Sequence, residues 1–263
     1  MNMLQFREKK QRQEKITMVT CYDYTNALLL RDTAIDCLLV GDSLAMTMHG
    51  FKDTLSATLE MMCLHTAAVA RGAGDKFIVS DLPFMSYRKS LNKSVSAVEA
   101  LMRAGAHAVK LEGAAGNLAL IRHLTESGIP VMGHLGLTPQ FIHLLGGYKV
   151  QGKTEEAAER LKKDALLLAD AGCFAVVLEC VPTKLATTMT KSLTIPTIGI
   201  GAGSETDGQV LVIQDLLGMS ATFKPKFVKA FIDGYQQVKH SIEKYVAEVK
   251  AGEFPEHEHS FEG

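Results

Sequence analysis

Short apolar runs that stop at an ionisable residue recur along this chain. They are Cys37-Leu-Leu-Val-Gly-Asp-Ser43, Lys76-Phe-Ile-Val-Ser-Asp81, His107-Ala-Val-Lys-Leu-Glu112, Pro130-Val-Met-Gly-His134 and Phe174-Ala-Val-Val-Leu-Glu179. A run of this kind predicts a parallel strand buried on both faces. Strands are accordingly expected at 16–21, 37–42, 76–81, 107–112, 130–134, 174–179, 196–200 and 209–213. Helix-period segments fall between them at 24–34, 58–71, 94–104 with Ser94 as its N-cap, a stretch ending near 128, 154–171 and 184–191. A long helix is expected at 225–250, and loops at 44–57 and 136–153. Loops at the carboxyl ends of such strands commonly carry function.

Eight strands with mostly helical connections fit a (β/α)8 TIM barrel or an open doubly wound sheet. Two features favour the barrel. Polar residues end many successive strands instead of clustering at one crevice, and no GxGxxG follows the first strand with an acid about 20 residues on. The chain is expected to be one domain over 1–263, with a polar lead-in at 1–15 and a mobile tail at 253–263.

Composition narrows the function more than the fold. Hydrophobic residues make up 47% and charged residues 22%, enough for a large core. The net charge of −1 gives no electrostatic reason to expect nucleic acid or an anionic membrane as partner. Neither a signal-peptide pattern nor an apolar run of about 20 residues is present. The five cysteines lack CxxC spacing and read as reduced core thiols, so a cytoplasmic protein is expected.

The strand ends hold the chemistry. Asp42 and Asp81 close consecutive βα units and would share one rim, a hard-oxygen pair suited to Mg²⁺; each alone could instead cap a helix. Lys110 and Glu112, two apart on a strand, face the same way: either beside that metal, gripping a carboxylate substrate, or as a buried ion pair. Glu179 follows only apolar residues, a poorly hydrated setting suited to a general base. His134 could donate to substrate or be a satisfied core histidine, and Ser43 could hold a substrate oxygen or cap the next turn. Gly199-Ile-Gly-Ala-Gly203 could cradle phosphate or simply turn sharply. His257 and His259 could bind metal or lie in a solvated terminus.

Taken in order, Tyr22-Asp-Tyr24, Val40-Gly-Asp-Ser-Leu44, Ser80-Asp-Leu-Pro-Phe-Met-Ser-Tyr87, Val109-Lys-Leu-Glu-Gly113, Gly133-His-Leu-Gly-Leu-Thr-Pro-Gln140, Gly146-Gly-Tyr-Lys-Val-Gln-Gly152, Leu178-Glu179 and Ile198-Gly-Ile-Gly-Ala-Gly203 resemble the ketopantoate hydroxymethyltransferase family. The resemblance runs from about residue 16 to 231. It implies a TIM barrel, Mg²⁺, 5,10-methylenetetrahydrofolate as one-carbon donor to 3-methyl-2-oxobutanoate, and a homo-oligomer, a decamer built as a pentamer of dimers. It implies Asp42 and Asp81 as metal ligands with Glu112 close to the metal. Asp42, Ser43, Asp81, Lys110 and His134 would meet substrate, with Glu179 as the base. Ala45, Phe51, Ala114 and Phe141 depart from the family's usual residues. Two other readings fit the same strand ends. A C–C lyase or mutase would be expected to carry a catalytic Cys after Asp81 or Glu112, where none stands; a noncatalytic binding protein would need the rim acids to be idle.

Overall fold

The computed structural model describes residues 1–220 and 225–261. By compactness the chain divides into two units, Met1–Val212 and Ile213–Gly263.

The first unit opens with helix α1 (Met3–Gln11), then β1 (Ile16–Thr20), α2 (Tyr24–Arg31), β2 (Cys37–Val40), α3 (Leu44–Thr47), α4 (Leu59–Gly72) and β3 (Phe77–Asp81). It continues with α5 (Leu91–Arg103), β4 (Ala108–Glu112), α6 (Leu118–Glu126), β5 (Val131–Gly136), α7 (Ile142–Leu145), α8 (Glu155–Asp170), β6 (Ala175–Glu179), α9 (Thr183–Ser192), β7 (Thr197–Ile200) and β8 (Gly208–Leu211). The eight strands pair in sequence order, all parallel, and β8 returns to β1, closing the barrel. This is the expected (β/α)8 fold. The second unit holds α10 (Ile213–Leu216), α11 (Gly234–Ala251) and a 3₁₀ turn at His257–His259.

Period-two alternation builds both the core and the site. Phe77 and Val79 of β3, Ala108 of β4, Met132 of β5, and Ala175 and Val177 of β6 belong to one buried cluster inside the barrel. Continuing the same parity along each strand reaches Asp81, then Lys110 and Glu112, then His134, then Glu179. On β3 to β6 the interior-facing side chains low in the barrel are apolar, and those at the carboxyl end are ionisable.

Four expectations need correction. The lead-in is not merely polar: α1 starts in a reciprocal cap between Asn2 and Gln5 and buries Phe6 completely. That ring meets Phe77 and Phe174 edge-on, with centroids 5.6 and 5.1 Å apart. A single aromatic in a charged segment has no periodicity to announce it. Ser94 is not the N-cap of α5. The helix starts at Leu91 with Ser90 before it, and Ser94, Ala97, Val98 and Leu101 form its buried stripe, so amphipathic packing draws the helix a turn earlier. The segments expected as loops are not plain loops: 44–57 contains α3 and a 3₁₀ turn at Thr54–Ser56, and 136–153 contains a 3₁₀ turn at Pro139–Phe141 and α7. The last helix begins at Gly234, capped by the Asp233 side chain onto Gln236 N–H, not at 225. Residues 262–263 of the expected tail lie outside the described residues.

Candidate active site

The carboxyl ends of β2 to β6 and the turns that follow them form one hydrogen-bonded cluster. Asp42, Asp81, Lys110, Glu112 and His134 are all buried, each no more than 5% exposed. Glu179 is more open, its side chain 18% accessible.

Strand register sets the first contacts. Asp81 lies opposite Lys110 across β3 and β4, and Lys110 Nζ reaches Asp81 Oδ1 at 2.8 Å. Asp81 Oδ2 accepts the backbone N–H of Asp42 at 3.1 Å, fixing the turn after β2 against the end of β3. Glu112 lies opposite His134 across β4 and β5. Nδ1 of His134 stands 3.5 Å from Glu112 Oε1 and 3.4 Å from Lys110 Nζ. Its Nε2 is 3.2 Å from Glu179 Oε2, an ion-pair distance that lacks the alignment of a hydrogen bond. Lys110 therefore pairs across the strands with Asp81, and Glu112 faces His134, instead of the two pairing along β4.

Ser43 does not cap α3; its Oγ lies 2.8 Å from the hydroxyl of buried Tyr22. Burial pushes the Tyr22 phenol up to about 12, against the opposing effect of its hydroxyl neighbours. Glu179 is placed by backbone. Gly136 has φ +92° and lies opposite Glu179 across β5 and β6, and a Cβ there would fall 2.2 Å from Glu179 O. Only glycine permits that approach.

Electrostatically the cluster is strained toward negative charge. Burial, then the charges of Asp81 and Glu112, raise the Asp42 carboxyl well above the usual carboxylate range, with Lys110 and Gln140 opposing. Burial and the Lys110 charge act to deprotonate His134, but the Glu112 and Glu179 carboxylates beside it outweigh them and raise it to about 9. Burial likewise disfavours the Lys110 ammonium, yet Asp81, Asp42 and Glu112 hold it protonated.

Sequence reasoning missed three participants. Gln140, in the 3₁₀ turn Pro139–Phe141, donates from Nε2 to Asp42 Oδ2 at 2.8 Å and from its backbone N–H to Glu112 Oε2 at 3.0 Å. Tyr87 donates to Gln140 Oε1 at 2.7 Å. Arg88 donates to the backbone oxygens of Glu112 and Ala115, tying the loop after β3 to the end of β4, and its guanidinium lies 5.0 Å from the Phe141 ring centroid. All three stand in loops without periodicity; the only signal was the presence of Tyr87 and Gln140 in quoted motifs. The glycine-rich turn 199–203 is closely packed: a Cβ at Gly203 would lie 2.5 Å from Thr183. All five cysteines are free thiols.

The family model described as ketopantoate hydroxymethyltransferase matches residues 1–257. The 3-methyl-2-oxobutanoate hydroxymethyltransferase of Bdellovibrio bacteriovorus is 59% identical over 259 residues, 98% of both chains. That of Francisella tularensis subsp. tularensis is 58% identical over 261 residues, 99% of this chain and 98% of the relative. Among solved structures, phosphonopyruvate hydrolase in complex with oxalate and Mg²⁺ matches with a TM-score of 0.63 at 10% identity, covering all of this chain and 92% of the other. At that identity the likeness speaks for the fold alone.

Proposed function

The chain belongs to the ketopantoate hydroxymethyltransferase family and is a one-carbon transferase; from that premise we propose that it moves a hydroxymethyl group from 5,10-methylenetetrahydrofolate to 3-methyl-2-oxobutanoate. The product is 2-dehydropantoate, the first step toward pantothenate. The reading includes one Mg²⁺ per subunit, a homo-oligomer, a decamer of five dimers as in the family it resembles, and a cytoplasmic setting. Among the described residues no helix is long and apolar enough to cross a membrane.

The observation that carries the reading is the excess of buried acid at one rim. Asp42, Asp81, Glu112 and Glu179 face Lys110 and His134, an excess of two negative charges when all are ionised. A buried carboxyl such as Asp42 ionises only against added positive charge, and its raised proton affinity expresses that demand. Asp81 Oδ1 is buried and lacks an aligned hydrogen bond, although Lys110 Nζ is near. Among the described residues no three His, Cys, Asp or Glu side chains are grouped so that they could hold a metal ion. Mg²⁺ usually takes only one or two protein carboxylates and fills its octahedron with water and substrate.

Asp42 and Asp81 would hold the ion, with Glu112 beside it. When bound, Mg²⁺ supplies Lewis-acid polarisation of the 2-oxo group, an effect worth several kcal/mol. Ser43 and Lys110 meet the substrate's oxygens, Lys110 adding positive charge on the carboxylate side. His134, protonated and set between Glu112 and Glu179, aims the Glu179 carboxylate. Glu179 takes the C3 proton, a step for which a placed base contributes about 10² to 10⁴-fold. The resulting enolate carbon bonds to the folate's methylene carbon as one of that carbon's two C–N bonds breaks, the proton from Glu179 passing to the freed nitrogen. Water then replaces the second C–N bond, leaving a hydroxymethyl group and tetrahydrofolate as the leaving amine.

A steady-state assay of one-carbon transfer tests this reading. Product should form only when the 2-oxo acid, methylenetetrahydrofolate and Mg²⁺ are all present, and Asp81→Ala should abolish it. Turnover that continues without the folate, or with the divalent cation chelated, would contradict it.

A further inference from the structure

We propose that Gln140 is a positioning residue of this site, orienting Asp42 and Glu112 toward the divalent cation; the inference rests on the metal reading above. Gln140 is 5% exposed and uses its hydrogen-bonding groups on residues of three different strand ends. Its Nε2 donates to Asp42 Oδ2 at 2.8 Å and to Leu82 O at 2.9 Å. Its Oε1 accepts from Tyr87 at 2.7 Å, and its backbone N–H donates to Glu112 Oε2 at 3.0 Å. Two acceptors on one side of the amide and a hydroxyl donor on the other leave a single orientation for the group. The Tyr87 hydroxyl is itself fixed, because it also lies 3.4 Å from the backbone N–H of Glu112. Pro139 stiffens the turn from which the side chain projects.

The chemistry of the donor matters as much as its place. A Lys or Arg here would orient the acids but neutralise them. An amide holds one oxygen of Asp42, and a peptide N–H holds one oxygen of Glu112, without adding charge. Both carboxylates are thus held in place with no fixed positive charge standing where a cation would. A role in packing alone would not require donors on two acids from separate strands, nor a tyrosine to fix the amide's direction. Outer partners of this kind typically change metal affinity about 10- to 100-fold when removed.

Calorimetric titration of Mg²⁺ into the full-length wild type, Gln140→Leu, Tyr87→Phe and the double variant tests the assignment, with each protein's fold checked by circular dichroism. Gln140→Leu should raise the Mg²⁺ Kd by about 10- to 100-fold. Tyr87→Phe should raise it by about 2- to 10-fold, chiefly through loss of the 2.7 Å bond that fixes the Gln140 amide, and should add little in the double variant because Tyr87 acts mainly through Gln140. A folded Gln140→Leu with unchanged Kd, or full additivity in the double variant, would overturn the assignment while leaving the metal reading intact. Should Gln140→Leu fail to fold, Tyr87→Phe decides: a raised Kd supports the role and an unchanged one overturns it. A wild type that takes up no Mg²⁺ would overturn both.

Discussion

Glu179 depends on its neighbours at two points, one of backbone and one of side chain. Because Gly136 lies in the left-handed region and meets Glu179 O without a Cβ, Gly136→Ala must displace the end of β6. Misplacement of a reacting group by about 1 Å can cost about 10²-fold, so transfer by this variant should fall by that order. The accompanying loss of melting temperature, read from a thermal scan, should be small compared with a core deletion. His134 Nε2 stands 3.2 Å from Glu179 Oε2. His134→Leu removes that positive charge and leaves Glu112 and Glu179 facing an apolar group, so kcat should drop by about 10²-fold even where substrate is saturating. Sequence could indicate Asp81, Lys110, Glu112, His134 and Glu179 because each shares parity with apolar residues of its own strand. Gln140 and Tyr87 share parity with nothing, and their roles arise only where separate loops meet.

At the level of elements, α1 closes the amino-terminal end of the barrel. Phe6 is fully buried among the first residues of several strands, so Phe6→Ala should cost about 3–5 kcal/mol in urea unfolding. Lys9 and Lys10 of this helix pair at 2.7 Å with Asp36 and Asp207, just ahead of β2 and β8. Asp36 also accepts from the backbone and side chain of Thr17. Burial raises its carboxyl, but Lys9 and Thr17 outweigh burial and set it below the usual value of 3.8. Its contribution is therefore present above that value and is lost as pH falls through the lowered one. Asp36→Asn should cost about 1 kcal/mol near neutrality, allowing for solvent screening, and nothing measurable in strong acid; paired melts across pH check the sign. The helix escaped the sequence pattern because eight of its nine residues are not buried. It is stabilised by its cap and by contacts far along the chain.

For the whole molecule, the strand count, their parallel order and the (β/α)8 class were legible because a closed barrel repeats one signal eight times. Boundaries were less so: within 44–57 and 225–233 the helix starts are set by caps, Asp53 onto Leu55 N–H and Asp233 onto Gln236 N–H, which hydrophobic periodicity does not report. The proposed assembly has a direct check, since light scattering should return a mass about ten times the 28.6 kDa of one chain. The central claim is that acids distant in sequence meet around one divalent cation and make a neighbouring C–H labile. Proton NMR of 3-methyl-2-oxobutanoate in deuterated solvent, with enzyme and Mg²⁺ but no folate, measures that lability. The C3 proton should exchange with the wild type and Mg²⁺ and should stop exchanging with Glu179→Gln; exchange undiminished in that variant, or unaffected by chelation, would contradict the account.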